Sequence, residues 1–354
     1  MTVFLVIIVL ALFAVTVWQM TKIFELSKGS SAASSQIATD KDNKTQGILM
    51  LAFAIFFYLL MIYCFWYYSK LYLPEAASEH GSEVDTLMFI SIGVIMFVQV
   101  ITQALLFWFS YKYKGVKGYK ALFYADNDKL EFIWTIIPVI VLSGLIIYGL
   151  FTWSDIMNIN EDDDPIVIEI YAKQFSWTTR YSGNDNTLGS ANVRFIEGIN
   201  QVGIDQSDPY AEDDIITTEL HLPVGKAILF KFRSQDVLHS AFFPHFRAQM
   251  NVVPGMITQF GFTPSITTEE MKASEYMVDK VKTINKLRAE KSKELMANGE
   301  IALDTYEFDY FLLCNKICGQ AHYNMQMKII VESEEDYNAW LEGQQTFGKV
   351  MAAQ

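Results

Sequence analysis

The sequence predicts a two-part chain: a membrane α-helical region of four transmembrane helices, followed by an all-β sandwich outside the bilayer. Three observations carry this reading. Hydrophobic residues make up 51% of the 354, and in the first half they gather into four long runs. After Trp153 the texture changes to short stretches that alternate apolar and polar side chains. The charge divides at the same place. Residues 1–154 carry 10 Lys/Arg and 10 Asp/Glu while residues 155–354 carry 17 and 30, so the whole net charge of −13 lies in the second half.

The four runs cover about 1–20, 48–68, 87–109 and 133–153. Each is near the roughly 20 residues that a helix needs to cross a hydrocarbon layer of about 30 Å. Trp18, Trp66, Tyr67, Tyr68, Trp108 and Trp153 stand at their ends, where aromatic side chains anchor a span at the interface. Loop 21–46 holds Lys22, Lys28, Lys41 and Lys44, and loop 110–130 holds Lys112, Lys114, Lys117, Lys120 and Lys129. Loop 70–85 holds only Lys70, against Glu75, Glu79, Glu83 and Asp85. The positive-inside rule puts the two lysine-rich loops in the cytoplasm, and both termini and the acidic half outside. The first run has no basic segment before it, so it reads as a retained span rather than a cleaved signal peptide. Residues 1–154 are thus expected to form the membrane region.

Residues 155–345 are expected to form the external domain. "IVIEIYA" (166–172), "TTELHLPVG" (217–225), "KAILFKF" (226–232), "TQFGFT" (258–263), "YEFDYFLL" (306–313) and "MKIIVE" (327–332) alternate as half-buried strands do. Several such strands in one domain predict an antiparallel sandwich. Residues 183–215 are rich in Gly, Asn, Asp and Ser and read as loop. Residues 268–298 are charged, good helix formers, and read as a solvated helix or hairpin inserted into the domain. The acidic balance disfavours nucleic acid as a partner, because phosphates need a basic surface, and suits either a basic protein partner or a plain solubility role.

The chemistry concentrates in "CNKICGQAHYNM" (314–325), which holds two of the three cysteines. Cys314 and Cys318 are four apart, His322 follows four later, and Met325 three after that. Thiolates and a thioether are soft donors and imidazole is borderline, so the set favours copper, Cu(I) above all. His239, in "QDVLHS" (235–240) at an expected strand end, is the best candidate for a further ligand. Two thiolates can bridge two coppers, with one histidine terminating each. The residues alone leave three alternatives: a disulfide between the two cysteines, a structural zinc site, or a mononuclear copper site with one cysteine idle. No C-x-x-C-H run is present, so no c-type haem is attached.

Together with "EFIWTIIP" (131–138), "AKQFSWTTRY" (172–181), "LHLPVGK" (220–226) and "VPG" (253–255), these motifs make the chain resemble subunit II of a haem–copper cytochrome c oxidase. The matching stretch is roughly 85–340. The resemblance implies a cupredoxin-like Greek-key sandwich carrying the binuclear copper A centre. By this likeness Cys314 and Cys318 would be bridging thiolates, His239 and His322 terminal imidazoles, Met325 the thioether ligand in preference to Met327, and the Lys316 carbonyl the last donor. It further implies electron input through Phe175 or Trp177, and a role for Glu131 at the entrance of a proton channel. Haems and a second copper would lie in subunit I. Expected partners are subunits I and III, the lipid bilayer, and a cytochrome c or a c-type haem domain of a neighbouring respiratory complex. The expected location is the bacterial inner membrane, with the copper domain on the periplasmic side. The implied function is electron transfer toward oxygen reduction coupled to proton pumping; a quinol oxidase subunit II, or a structural copper-binding membrane subunit, is the alternative.

The sequence departs from the family pattern in places. Phe175 stands where a tryptophan is usual, Lys316 replaces a magnesium-linked glutamate, and Asn251 and Met256 replace an Asp and an Arg. Two N-terminal spans and the 268–298 segment are additional. The likeness is to a diverged bacterial-type member.

Overall fold

The structure, a computed structural model, describes residues 2–28, 39–69, 73–120, 122–123, 126–158 and 164–353; the side chains of 2–9 and 24–28 fall outside the description. Met1, Lys70 and the side chain of Lys28, on which the span and loop expectations also drew, therefore lie outside it. The described residues divide into two compact units, residues 1–70 with 93–132, and residues 71–92 with 133–354.

Four helices account for the apolar runs: α1 (Thr2–Lys28), α2 (Asp40–Tyr68), α3 (Gly81–Lys112) and α4 (Asp128–Met157). Among the described residues, α2, α3 and α4 are long and apolar enough to span a membrane, and α1 contributes a shorter apolar stretch, Leu10–Ile23. Helices α2, α3 and α4 begin several residues before their apolar runs because polar first turns are locally well formed. In α2, Thr39 caps the helix through a reciprocal pairing with Asp42, which satisfies N–H groups that a helix start leaves open. Within the first unit, Tyr58 Oη donates to the Val100 carbonyl at 2.8 Å, and Phe53 packs on Phe107 at 5.6 Å. Asn43 Nδ2 donates to the Gly115 carbonyl at 3.0 Å, and the Lys117 amide donates to Asp40 at 3.0 Å. Gly47 permits this approach, since a Cβ there would sit 3.2 Å from the Lys114 side chain.

The second unit holds a sandwich of two five-stranded sheets, in the orders β3-β2-β1-β5-β8 and β4-β10-β9-β6-β7. The strands are β1 (Ile166–Lys173), β2 (Ser176–Tyr181), β3 (Ile215–Thr217), β4 (Leu220–Pro223), β5 (Ile228–Ser234), β6 (His239–Phe243), β7 (Ala248–Val252), β8 (Thr258–Phe262), β9 (Tyr310–Cys314) and β10 (Gln326–Glu332). The sandwich is mixed rather than wholly antiparallel: β1 runs parallel to β5 and β4 parallel to β10. Ile168, Ile170, Phe230, Phe232, Leu222, Leu312 and Ile329 are fully buried in the main core between the sheets. Each such side chain contributes roughly 1.5–3 kcal/mol through removal from water.

β1 is not half-buried, as its alternation suggests, but buried on both faces. Its outward residues Glu169 and Tyr171 are 3% and 1% exposed, because segment 183–215 folds over them. Glu169 pairs with Arg180 at 2.8 Å and Arg233 at 2.7 Å. Arg180 also reaches the Gly189 carbonyl at 2.7 Å, and Arg233 the Val202 carbonyl at 2.8 Å. Burial pushes the Glu169 carboxyl up, but the two guanidinium groups overcome it and hold the carboxyl below its ordinary value. The loop-like composition of 183–215 is therefore an ordered cover, fastened by buried cations to main-chain carbonyls. A small second core of Tyr171, Val202, Ile204, Ala211 and Phe347 lies beneath it, closed by α8 (Phe347–Ala352), which follows α7 (Glu334–Glu342).

The 268–298 segment folds as α5 (Thr268–Ala273) and α6 (Glu275–Ala297). It is not simply a solvated insertion: Met271 and Met277 are fully buried and belong to the main core. One face of α6 then binds the returning chain edge by side chain to main chain. Asn285 exchanges two hydrogen bonds with Tyr306, at 2.7 and 3.0 Å, Arg288 donates to the Asp304 carbonyl at 2.8 Å, and Ser292 accepts from the Leu303 amide at 2.9 Å.

The segment before α3 is also part of this unit. The Ala77 amide donates to the His245 carbonyl at 2.7 Å, and Ser78 Oγ to the Phe246 carbonyl at 2.7 Å. His80 packs its ring on Phe260 at 5.9 Å and Phe262 at 6.5 Å.

Candidate metal centre

Two elements bring the donors together. β6 begins at His239, and β9 ends at Cys314 beside it, with Ala241 opposite Cys314. The chain then loops through Cys318 and a 3-10 turn, His322–Asn324, into β10. The loop is fixed at both ends by main-chain bonds: the Cys314 amide donates to the Met325 carbonyl at 3.0 Å, and the Asn315 amide to the Ser240 carbonyl at 3.0 Å.

The side chains form a continuous file. His239 Nδ1 is 3.8 Å from Cys314 Sγ, Cys314 Sγ is 3.8 Å from Cys318 Sγ, and Cys318 Sγ is 3.6 Å from His322 Nδ1. The two ends are completed differently. Cys314 Sγ lies 3.2 Å from the Lys316 carbonyl, whereas Cys318 Sγ lies 3.8 Å from Met325 Sδ. Donor atoms of His239, Cys314 and Cys318 all fall within 4.8 Å of one another. Both cysteines are free thiols. Burial, then the neighbouring Cys314, push the Cys318 thiol up to about 11.

The donor chemistry fits copper. Met325 is 1% exposed with its sulfur turned to Cys318, and a buried thioether beside two thiols suits a soft ion better than zinc. Met327, the neighbouring thioether, is engaged elsewhere, accepting from Thr179 Oγ1 at 3.3 Å.

Supporting residues surround the file. Asp236 Oδ1 is 2.9 Å from His239 Nε2, which leaves Nδ1 for the thiol side and orients the ring. Burial pushes the Asp236 carboxyl up, but bonds from the Gln174 amide, His239 and the Val237 amide outweigh it and hold it below its ordinary value. The Gln174 side chain donates to the Cys318 carbonyl at 2.5 Å. Phe175 is half-buried and lies against Gly319: a Cβ there would sit 2.8 Å from its ring, and Gly319 has φ +145°. Trp177 is 3% exposed, donates Nε1 to the Met325 carbonyl at 3.4 Å, and stands edge-on to His239 at 6.0 Å. Phe175 thus reaches the loop's outer side and Trp177 its buried side. Ile317 and Tyr323 are exposed at 87% and 88%, and the Lys316 side chain is exposed as well.

The structure brings His239, Cys314, Lys316, Cys318, His322 and Met325 together, with Phe175 and Trp177 beside them. Glu131 is exposed in the first turn of α4. Sequence reasoning did not single out Asp236, Gln174, Gly319 or Thr179. Asp236 was the most accessible of these, three residues before His239 in "QDVLHS".

His221 stacks on Trp340 at 3.8 Å and bonds Glu332 at 2.8 Å. His245 stands edge-on to Phe308 and Tyr310, each at 5.2 Å.

Residues 67–151 match the family model for the transmembrane domain of cytochrome c oxidase subunit II. The chain is 30% identical over 302 residues to an alternative cytochrome c oxidase subunit 2 of Bradyrhizobium diazoefficiens, covering 85% of this chain and 92% of that one. It is 23% identical over 292 residues to a cytochrome c oxidase subunit 2 of Thermostichus vulcanus, covering 76% and 77%. Among solved structures, the periplasmic domain of subunit II of cytochrome oxidase from Bradyrhizobium japonicum matches with a TM-score of 0.29 and 18% identity, over 50% of this chain and 91% of that one. At that score the fold rests on the strand order described above. The near-full-length match to the Bradyrhizobium protein, on a chain with apolar spanning helices and a His–Cys–Cys group, shows that this protein belongs to the cytochrome c oxidase subunit II family, a subunit of the haem–copper oxidases.

Proposed function

We propose that the chain is the electron-input subunit of a terminal respiratory oxidase, holding a binuclear copper A centre with His239, Cys314, the Lys316 carbonyl, Cys318, His322 and Met325. The observation that carries this reading is the file of donors spaced 3.6–3.8 Å apart, with a thioether at one end and a carbonyl at the other. When bound, copper A supplies a one-electron relay whose charge is shared over two metals, which keeps reorganisation small.

The protein's own residues hold and insulate that relay. Asp236 fixes the His239 ring, Gln174 ties down the Cys318 carbonyl, and Trp177 closes the buried side. Phe175 offers a π-surface on the outer side of the loop, so it is the better placed of the two aromatic candidates to meet a donor. As a phenylalanine it brings no N–H to the contact. Exposed Ile317 and Tyr323 give the loop an apolar rim suited to a protein partner. The donor is a cytochrome c or a c-type haem domain, drawn by the acidic domain, and the acceptor is haem in subunit I, where oxygen is reduced and protons are pumped. Glu131 is assigned to the cytoplasmic entrance of a proton path, and the copper domain to the periplasmic face of a bacterial inner membrane.

Substituting Cys314→Ser and Cys318→Ser separately tests the assignment. Each should abolish near-infrared copper absorbance and turnover with reduced cytochrome c. Normal turnover in either variant would sink it.

A further inference from the structure

The copper loop carries two thioethers, and nothing in their own chemistry says which one faces the thiols. Met325 and Met327 are two residues apart, both buried, at 1% and 4% exposure, with exposed Gln326 between them. Both side chains therefore face the interior, Met327 from β10 and Met325 from the turn that leads into it. Opposite them lies β2, whose Trp177 and Thr179 are also two apart. Trp177 Nε1 donates to the Met325 carbonyl, which already accepts from the Cys314 amide. The same indole stands edge-on to His239, so one ring touches both chain segments that deliver donors. Two residues further on, Thr179 Oγ1 donates to Met327 Sδ at 3.3 Å, while Met325 Sδ is left 3.8 Å from Cys318 Sγ.

We propose that β2 selects the thioether donor: Trp177 positions Met325 at the thiols, and Thr179 holds the Met327 sulfur away from them. Both are positioning residues, and the proposal rests on the copper reading above. Thr179 is fully buried, and a buried hydroxyl without a partner is disfavoured, so the Thr179–Met327 bond resists exchange. A thioether donor would tune the potential of a Cys/His copper site, and its supporting groups would tune it at one remove. The choice of methionine therefore sets an electronic property rather than only a packing one.

The test uses the full-length chain in its oxidase complex, with copper counted by metal analysis, spin density followed by EPR, and the potential followed by redox titration of the copper absorbance. Met325→Leu should shift the potential and change the EPR spectrum, and Met327→Leu should leave both unchanged. Trp177→Phe keeps an aromatic ring but removes the indole N–H; it should shift the potential in the same direction as Met325→Leu, by less, with copper content kept. Thr179→Val keeps the shape and frees Met327; a second EPR component should appear, and vanish in the Thr179→Val, Met327→Leu double variant. Parent-like spectra and potentials in both Trp177→Phe and Thr179→Val would overturn the proposal, as would an effect of Met327→Leu alone equal to that of Met325→Leu. A parent protein without copper would instead overturn the underlying reading, and the proposal with it.

Discussion

Arg247 and Asp85 form a two-point ion pair, Nε to Oδ1 at 2.7 Å and Nη2 to Oδ2 at 2.8 Å. It ties the turn between β6 and β7 to the start of α3. The Arg247 side chain is only 6% exposed, and its Nη1 also donates to the Pro244 carbonyl at 2.7 Å. The guanidinium fork is what makes both contacts possible at once, and a lysine cannot reproduce it. Arg247→Ala leaves a largely enclosed carboxylate alone, a change that costs about 3–5 kcal/mol for a buried pair. A somewhat smaller loss is expected here, since Asp85 keeps 20% exposure, read as a lower melting temperature of the purified chain. Arg247→Lys should recover only part of it.

Gly319 admits Phe175 to the 314–325 loop. Gly319→Ala would place a methyl 2.8 Å from both the Phe175 ring and Gln174 Nε2, at a backbone angle that only glycine adopts freely and that costs other residues on the order of 1–3 kcal/mol. Stopped-flow reduction by the donor should slow in this variant and in Phe175→Leu. Copper content should stay near parental in Phe175→Leu, which separates electron input from metal binding. Equal reduction rates in Phe175→Leu and the parent would remove Phe175 from the path.

His245 gives the external domain an acid-sensitive element. Burial, then the charges of Lys280 and Arg247, lower its imidazole from an ordinary 6.5 to about 4, and its Nε2 has no partner among the described residues. The folded state thus binds the proton less readily than the unfolded chain. The neutral ring's contribution is fully present above pH 6.5 and is lost as pH falls through about 4. His245→Phe should flatten the fall in melting temperature between those values. An unchanged acid profile would show that the ring does not govern it.

The α6 hairpin is expected to depend on Asn285, which satisfies both the amide and the carbonyl of Tyr306. Asn285→Leu leaves these main-chain groups unpaired at a cost of roughly 1–3 kcal/mol. Hydrogen exchange should accelerate along 300–307 and leave β1 and β5 protected. Removing the whole 268–298 stretch is a different experiment, because it also strips Met271 and Met277 from the core.

Much of this arrangement was legible in the sequence, and the limits have physical causes. The spacing of Cys314, Cys318, His322 and Met325 points to the donors because they share one short loop, and His239 was singled out at an expected strand end, which the structure shows to be the first residue of β6. The supporting contacts join residues far apart in the chain, Gln174 to Cys318 and Thr179 to Met327, and no local period encodes them. The charged composition of 268–298 reported its exposed face correctly but hid two buried methionines. β1 alternates like a half-exposed strand, yet Glu169 is buried, because Arg180 and Arg233 neutralise it under a segment whose Gly, Asn and Asp content reads as open loop. Polar residues report exposure only when nothing distant pairs with them.

The central claim is that the file from His239 to His322 holds two coppers sharing one electron. The most direct measurement is metal analysis with EPR of the purified oxidase complex. Two coppers per subunit II beyond those of subunit I, with hyperfine splitting from two equivalent nuclei that is lost in Cys318→Ser, is the expected result. Zinc at this position, a single-copper spectrum, or a disulfide between Cys314 and Cys318 in the active complex would contradict it.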